Sequence, residues 1–408
     1  MEDGKATGTR REFLKKSVAG VVGLAIAPAV FDGEARAAAG DATQPRPFVR
    51  RTLGKTGITL PVVSMGVMNS DNLELVRAAL DAGIVHLDTA FYYQRGRNEE
   101  MIGRAIEGRS RDSYVIGTKV LGSPLDRKTG LYTKEAVAGP FLEKLETSLK
   151  RLKLEHVDIL YLHNVARKGA ALHAPYLEAL QTAKQQGKTR FTGVSTHANE
   201  PEVIRAAVES GVYDVVLTAY NFRQPHVVEV EKAIAEAAKA GLGIIAMKTM
   251  AGAYWDSNRQ HPINVKAALK WALRNENVHT AVPGFTTFEQ METDLSVMAD
   301  PTLSPAEELD LKADEQMGLA GLYCDQCGTC VAQCSRGIEI PALMRSYMYA
   351  YGYRNLWAAK ETFELAGISR LPCTECPTCG VFCPRGLDVR SRALDIERIQ
   401  LVADDFIA

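Results

Sequence analysis

Past residue 60 the chain alternates short apolar runs with longer stretches in which apolar residues recur every three or four positions. The short runs are Pro61 to Met65, Val85 to Asp88, Tyr114 to Lys119, His156 to Tyr161, Thr192 to Ser195, Val215 to Ala219, Gly243 to Lys248 and His279 to Val282. Their length and content predict strands. Between them, Asn72 to Ala82, Asn98 to Ile106, Glu143 to Leu152, Glu202 to Ser210, Val228 to Ala240 and Val265 to Arg274 have the period of helices that bury one face against a sheet. Repeated strand and helix units of this kind predict an α/β fold with covered parallel strands. Their number suits a closed (β/α)8 TIM barrel over residues 48–300, because an open doubly wound sheet uses fewer strands.

The loops after barrel strands converge at one end, so polar residues at the carboxyl ends of strands are the candidates for chemistry. Asp88 closes Ile84-Val85-His86-Leu87-Asp88, Tyr93 lies in the following loop, Lys119 closes its strand, and His163 follows Asp158-Ile159-Leu160-Tyr161-Leu162. A charged Lys beside a Tyr lowers the phenol pKa, an Asp orients the Lys, and a His orients a carbonyl oxygen or assists proton transfer. Together they suit carbonyl reduction, in which a nicotinamide cofactor delivers hydride and Tyr93 the proton. Spacing alone also allows an Asp–Lys ion pair at a barrel mouth, with a core Tyr and a satisfied His.

Gly83-Ile84-Val85-His86-Leu87-Asp88-Thr89-Ala90, Asn98-Glu99-Glu100, Lys119 and Leu162-His163 resemble signature segments of the aldo-keto reductase superfamily. The resemblance implies a (β/α)8 barrel that reduces aldehydes and ketones with NAD(P)H, using Asp88, Tyr93, Lys119 and His163. It also implies cofactor contacts. Ser195 stands where a Ser holds the nicotinamide amide, and Thr196 replaces the usual Asn. Met247 and Lys248 replace a stacking aromatic and a Ser. In Val282-Pro283-Gly284-Phe285, Gly284 stands where NADP-preferring members carry Lys, and Gln290 replaces an Arg. A 2′-phosphate loses two charged donors there. The expectation is weak preference for NADP, use of NAD, or a site without an exchangeable dinucleotide, with Lys248 as an alternative phosphate anchor.

All 8 Cys lie in the last quarter of the chain. Cys324, Cys327, Cys330 and Cys334 form one C-x2-C-x2-C-x3-C run, and Cys373, Cys376, Cys379 and Cys383-Pro384 repeat it. Disulfides or zinc are the alternatives, yet neither calls for this duplicated spacing. The runs resemble those of bacterial two-cluster ferredoxins, whose fourth ligand comes from the opposite motif. That likeness implies two 4Fe-4S clusters, one on Cys324, Cys327, Cys330 and Cys383, the other on Cys373, Cys376, Cys379 and Cys334. Residues 301–408 then make a linker helix, started by Ser304-Pro305, and a small, mainly helical ferredoxin-like iron–sulfur module. The tail resembles the extension of the iron–sulfur subgroup of the same superfamily. Between the motifs, Ile340 to Phe363 is expected to be mostly helical, with Leu343, Met344, Tyr347, Met348, Tyr351 and Tyr353 as core packing and an electron relay through the tyrosines as the lesser alternative.

Before the barrel, Arg10-Arg11-Glu12-Phe13-Leu14-Lys15 and the apolar stretch Ser17 to Phe31 resemble a twin-arginine signal peptide over residues 1–38. The stretch is too short to span a bilayer comfortably. Export of a folded protein to the bacterial periplasm by the twin-arginine machinery would let clusters be inserted first. The 408 residues carry 48 Lys+Arg against 49 Asp+Glu, so no global field recruits nucleic acid or an anionic membrane. The expected partners are a small carbonyl or alcohol and a redox protein. The competing class is a non-catalytic electron-transfer or scaffold subunit that retains the barrel.

Overall fold

The computed structural model describes residues 47–407, apart from 127, 314–316, 318–320 and 369. The leader expected at residues 1–38 lies outside the described residues. An antiparallel hairpin, β1 (Arg50–Thr52) and β2 (Thr59–Pro61), comes first. The barrel strands follow as β3 (Met65–Gly66), β4 (His86–Asp88), β5 (Val115–Leu121), β8 (Val157–His163), β9 (Thr189–Thr196), β10 (Val215–Ala219), β11 (Gly243–Met247) and β12 (Thr280–Ala281). A small hairpin, β6 (Leu125–Asp126) and β7 (Leu131–Tyr132), rises between β5 and β8. The eight barrel strands are parallel neighbours in the order β12-β11-β10-β9-β8-β5-β4-β3.

The first strand differs from its expected bounds. Pro61 ends β2, and β3 begins only at Met65. The segment between them still closes the barrel through the parallel bridge Val63↔Ala281, with Ala281 N donating to Val62 O at 2.9 Å and Ser64 N to Ala281 O at 2.8 Å. The run is apolar because it faces the core, while its backbone divides between a hairpin and the barrel seam.

The β1–β2 hairpin plugs the barrel floor. Leu53, Ile58 and Leu60 pack with the inward-facing Ile159, Val215, Leu217 and Ile245. Each such side chain contributes roughly 1.5–3 kcal/mol by leaving water. Gly54, at φ 51, permits the close approach: a Cβ there would lie 2.5 Å from Gly241 O. Outside the barrel, helices Leu73–Asp81, Arg97–Ala105, Ala138–Leu152, Glu200–Ser210, Val227–Lys239 and Val265–Leu273 turn their buried residues toward the sheet. Asn72 caps the first of these through Glu74 N and Leu75 N.

Ser304 and Glu307 form a capping box on helix Pro305–Asp310, and Lys270 holds Glu307 at 2.9 Å against the barrel. Helix Ile340–Tyr347 then packs on both Leu356–Leu365 and Val389–Glu397. They lie across the carboxyl ends of the strands, in the same compact unit as the barrel. Asn355 donates to Asn69 at 2.6 Å, Arg95 pairs with Asp404 at 2.8 Å, and Gly252 N donates to Tyr353 Oη at 3.2 Å. The cysteine-rich region therefore forms part of the barrel mouth. Among the described residues no helix is long and apolar enough to cross a membrane.

Candidate active site

Asp88 ends β4, Lys119 sits near the end of β5 and His163 ends β8, so neighbouring strands aim all three at the mouth. Lys119 Nζ donates to Asp88 Oδ1, to Thr89 O at 2.6 Å and to Tyr93 Oη at 3.4 Å. The Tyr93 and His163 rings meet edge to face, 6.0 Å between centroids. Tyr93 is presented by a turn in which Gln94, Arg95 and Gly96 all have positive φ, a conformation that two non-glycine residues adopt only when their surroundings hold them there. The Asn98-Glu99 run forms the supporting layer: Asn98 accepts from Thr89 Oγ1 at 2.7 Å and donates to Val67 O at 2.8 Å, while Glu99 accepts from Thr118 at 2.7 Å and from Arg151 at 3.2 Å.

Burial dominates the proton affinities. It raises the Asp88 carboxyl and lowers Lys119, and each partner pulls the other back. Burial also drives the Tyr93 phenol well above its ordinary value, with Asp88, Tyr349 and Glu361 adding to the rise. The expected lowering by Lys119 is outweighed, and the phenol holds its proton at neutral pH. His163 is pushed well below its ordinary value by burial, then by Lys119, Lys248 and Arg345, so its ring is neutral. Its Nδ1 is buried without a partner.

Beneath the tetrad lies a polar group that sequence reasoning missed. His86 is fully buried with neither ring nitrogen partnered, and Asp88 Oδ2 and Tyr161 Oη are also orphaned. They surround Gly117, where a Cβ would lie 3.1 Å from Tyr161 Cε2, 3.2 Å from Asp88 Oδ2 and 3.4 Å from His86 Nε2. The outward signal was a His inside an otherwise apolar strand.

The cysteines gather in two groups, and none is in a disulfide. Cys324, Cys327, Cys330 and Cys383 line one recess, together with Ile340, Pro341, Met344, Leu387 and Val389. Burial pushes the Cys324 thiol up to about 12 and the Cys330 thiol up to about 11, so thiolates here need a cationic centre beside them. In the second group Cys373 interacts with Cys334, Cys376 and Cys379. Among the described residues no three Cys, His, Asp or Glu side chains converge closely enough for a single metal ion. Helices Ile340–Tyr347 and Val389–Glu397 follow the two motifs, after Gly337 and Gly386 at φ 65 and 70, which gives the region its internal symmetry.

Comparison with known families decides the lineage. The aldo/keto reductase family model matches residues 59–267, about half of the chain. The chain belongs to that family. A 4Fe-4S dicluster domain model matches residues 323–388, so this family member carries an attached iron–sulfur region. It is 32% identical over 165 residues to the uncharacterized oxidoreductase YqkF of Bacillus subtilis, covering 39% of this chain and 52% of that protein. It therefore spans about half the length of that relative. It is 24% identical over 292 residues to L-galactose dehydrogenase of Arabidopsis thaliana, covering 61% of this chain and 88% of that one. In fold it resembles the holo form of an aldo-keto reductase from Bacillus halodurans, with TM-score 0.53, 21% identity, and coverage of 65% of this chain and 96% of that one. A Klebsiella pneumoniae aldo-keto reductase in complex with NADPH gives TM-score 0.50 and 22% identity, with coverage of 65% and 95%.

The family implies a nicotinamide dinucleotide, and the residues present can be tested against it. Ser195 and Thr196 end β9, both buried. Ser195 Oγ accepts from Asn164 N at 2.9 Å, which leaves its own proton free for a carboxamide oxygen; Thr196 Oγ1 spends its proton on Ala198 O at 3.0 Å and is left as an acceptor. That donor and acceptor pair fits an amide. Met247 ends β11, and Lys248 reaches Tyr349 Oη at 3.5 Å. Pro283 O accepts from Gly66 N at 2.9 Å, so it serves the barrel seam. Gly284 faces Asn69, and Gln290 Oε1 accepts from Thr286 N at 2.8 Å. Neither position offers charge to a 2′-phosphate.

Two tail residues were underestimated in the sequence. Tyr349 and Tyr353 pack within their own helical region and also bond to the barrel loop Lys248–Gly252. The signal available was their spacing of four, which puts both on one helical face.

Proposed function

We propose that the protein is an oxidoreductase that interconverts a carbonyl and an alcohol, with NAD as the dinucleotide that its residues suit. The observation that carries this reading is the buried Asp88–Lys119–Tyr93 chain of hydrogen bonds beside a neutral His163. When bound, the nicotinamide supplies or accepts the hydride. Ser195 and Thr196 would orient its amide. In reduction Tyr93 Oη gives its proton to the carbonyl oxygen as the carbonyl carbon gains hydride, and Lys119, held ionised by Asp88, stabilises the phenolate left behind. Neutral His163 donates to the same oxygen and fixes its position. In oxidation each transfer reverses.

The two cysteine groups would hold the clusters, Cys324, Cys327, Cys330 and Cys383 for one and Cys334, Cys373, Cys376 and Cys379 for the other. They are read as carriers between the barrel and a protein redox partner. The twin-arginine-like leader supports export to the periplasm.

Anaerobic purification followed by assay of iron, labile sulfide and bound nucleotide tests the cofactors, with about eight irons expected. Turnover of a panel of aldehydes and ketones with NADH tests the chemistry. Tyr93→Phe should lower turnover by roughly 10²–10⁴ while cluster absorbance is unchanged. Equal activity in that variant would overturn the reading and favour a barrel kept as a scaffold.

A further inference from the structure

The turn that presents Tyr93 is held only loosely from the barrel side. Gln94 and Arg95 sit at φ 52 and 54, and Gly96 at φ 93, where the Arg151 guanidinium leaves no room for a Cβ. Gln94 Nε2 makes only long bonds to the neighbouring barrel loop, to Met68 O at 3.4 Å and to Ser70 O at 3.5 Å. Two successive non-glycine residues in the left-handed region are disfavoured, so the conformation needs support from outside the turn.

That support comes from the iron–sulfur region. Arg95 turns its guanidinium outward into a socket: Nη1 pairs with Asp404 Oδ2 at 2.8 Å, Nη2 with Glu364 Oε1 at 3.3 Å, and Cζ lies 4.7 Å from the centre of the Trp357 ring. Arg97, which opens helix Arg97–Ala105, lies 5.1 Å from the same ring. Trp357 and Glu364 are two turns apart on helix Leu356–Leu365 and share one face. Asp404 has its own brace, because Lys360 Nζ donates to its other oxygen at 2.7 Å and to Val402 O at 2.6 Å. Just before the helix, Asn355 holds Asn69, which lies between the two acceptors of Gln94.

Arg95 and both carboxylates are about half exposed, and such pairs contribute little to global stability. A turn needs little. The choice among turn conformations is a local equilibrium, and a guanidinium held at three points restrains the backbone that carries it. The Tyr93 hydroxyl depends on that choice: it meets Lys119 Nζ at 3.4 Å, near the outer limit of a hydrogen bond, so a small drift of the turn parts them.

We propose that Arg95 is a positioning residue for the proton donor, and that Trp357, Glu364 and Asp404 of the iron–sulfur region hold it so that the turn keeps the Tyr93 hydroxyl at Lys119. The catalytic half of this inference rests on the reading of Tyr93 as proton donor; the restraint of the turn does not.

The test compares the anaerobic holoprotein with Arg95→Met and with the pair Glu364→Gln and Asp404→Asn, by amide hydrogen exchange of the turn, steady-state reduction of a neutral aldehyde by NADH, and thermal melting. Exchange in the turn should quicken roughly 10-fold in both variants, the sum of two exposed ion pairs and a cation–π contact. The kcat should fall roughly 10-fold at unchanged KM, because the hydroxyl is misplaced for a step made in the transition state. Melting should move by no more than about 2 °C. Combining all the substitutions should lower kcat no further than Arg95→Met alone, since they break one contact. Unchanged exchange in the turn overturns the restraint. A rise in KM at constant kcat overturns the positioning role and would put Arg95 at the substrate, and a further loss in the combined variant would show the carboxylates acting elsewhere. Faster exchange with kcat intact, where Tyr93→Phe abolishes turnover, sinks the catalytic half alone. Faster exchange in the variants of a protein with no Tyr93-dependent turnover keeps the restraint and sinks the reductase reading.

Discussion

The backbone N–H of Gly252 donates to Tyr353 Oη at 3.2 Å, a bond that spans about a hundred residues of sequence and ties the loop after β11 to the cysteine-rich region. Gly252 is buried, so removing the hydroxyl strands a buried donor at a cost of roughly 1–3 kcal/mol. Tyr353→Phe should lower the melting temperature by several degrees and speed proteolysis within the loop Lys248–Gly252. An unchanged melting curve would show that the bond contributes nothing.

Lys119 and Asp88 are both almost wholly buried, at 1% and 4% exposure. Lys119→Met leaves the Asp88 carboxylate without its counter-ion and should cost about 3–5 kcal/mol, whereas adding Asp88→Asn should recover much of it. A double-mutant cycle in denaturant measures the difference. Additive single effects would mean that the pair is not coupled.

Glu361 carries a carboxyl raised to about 8, first by burial and then by Glu364, and its charge, once formed, adds to the rise of the Tyr93 phenol. As pH rises through 8 the new negative charge makes phenol deprotonation harder, so carbonyl reduction should slow. The stability that depends on Glu361 being protonated is fully present below the ordinary carboxyl range and is lost as pH rises through 8. Glu361→Gln should remove both steps, read from the pH profile of turnover and of denaturant midpoints.

His86 is held neutral, its pKa lowered to about 4 mainly by burial. The unfolded chain takes up a proton near pH 6.5 and the folded chain does not until about pH 4. Stability should therefore be full above pH 6.5 and fall by roughly 3 kcal/mol as pH drops to 4. His86→Phe should flatten that part of the curve, by chemical denaturation of wild type and variant in parallel.

Cys383 sits in the second motif yet lines the recess of the first. Cys383→Ser should lower the iron content from about eight to about four, and the surviving cluster should be the one served by Cys334, Cys373, Cys376 and Cys379. Electron paramagnetic resonance of the reduced protein distinguishes the two. Loss of all iron would contradict two separate sites.

Local pattern carried much of this protein. The eight strands and the amphipathic helices follow from periodicity, and the positions of Asp88 and His163 at strand ends follow from where apolar runs stop, whereas the strand of Lys119 runs on to Leu121. The duplicated cysteine spacing needed no fold at all. What could not be read is what depends on distant segments meeting. Nothing near Lys248 announces Tyr349, because that meeting is decided by how the tail docks on the mouth. The rise in the Tyr93 phenol was also hidden: the neighbour Lys119 argued for a fall, and only the depth of burial reverses it. His86 was passed over because an inward-facing strand position is normally apolar.

The docking of the tail bears on how such proteins can be recombined. A junction near residue 300 looks natural along the sequence, since the barrel helices are complete there. A chimaera joined at that point would exchange Arg345, Tyr349, Tyr353 and Asn355 along with the cysteines. It would rebuild one side of the barrel mouth with every new set of cysteine motifs.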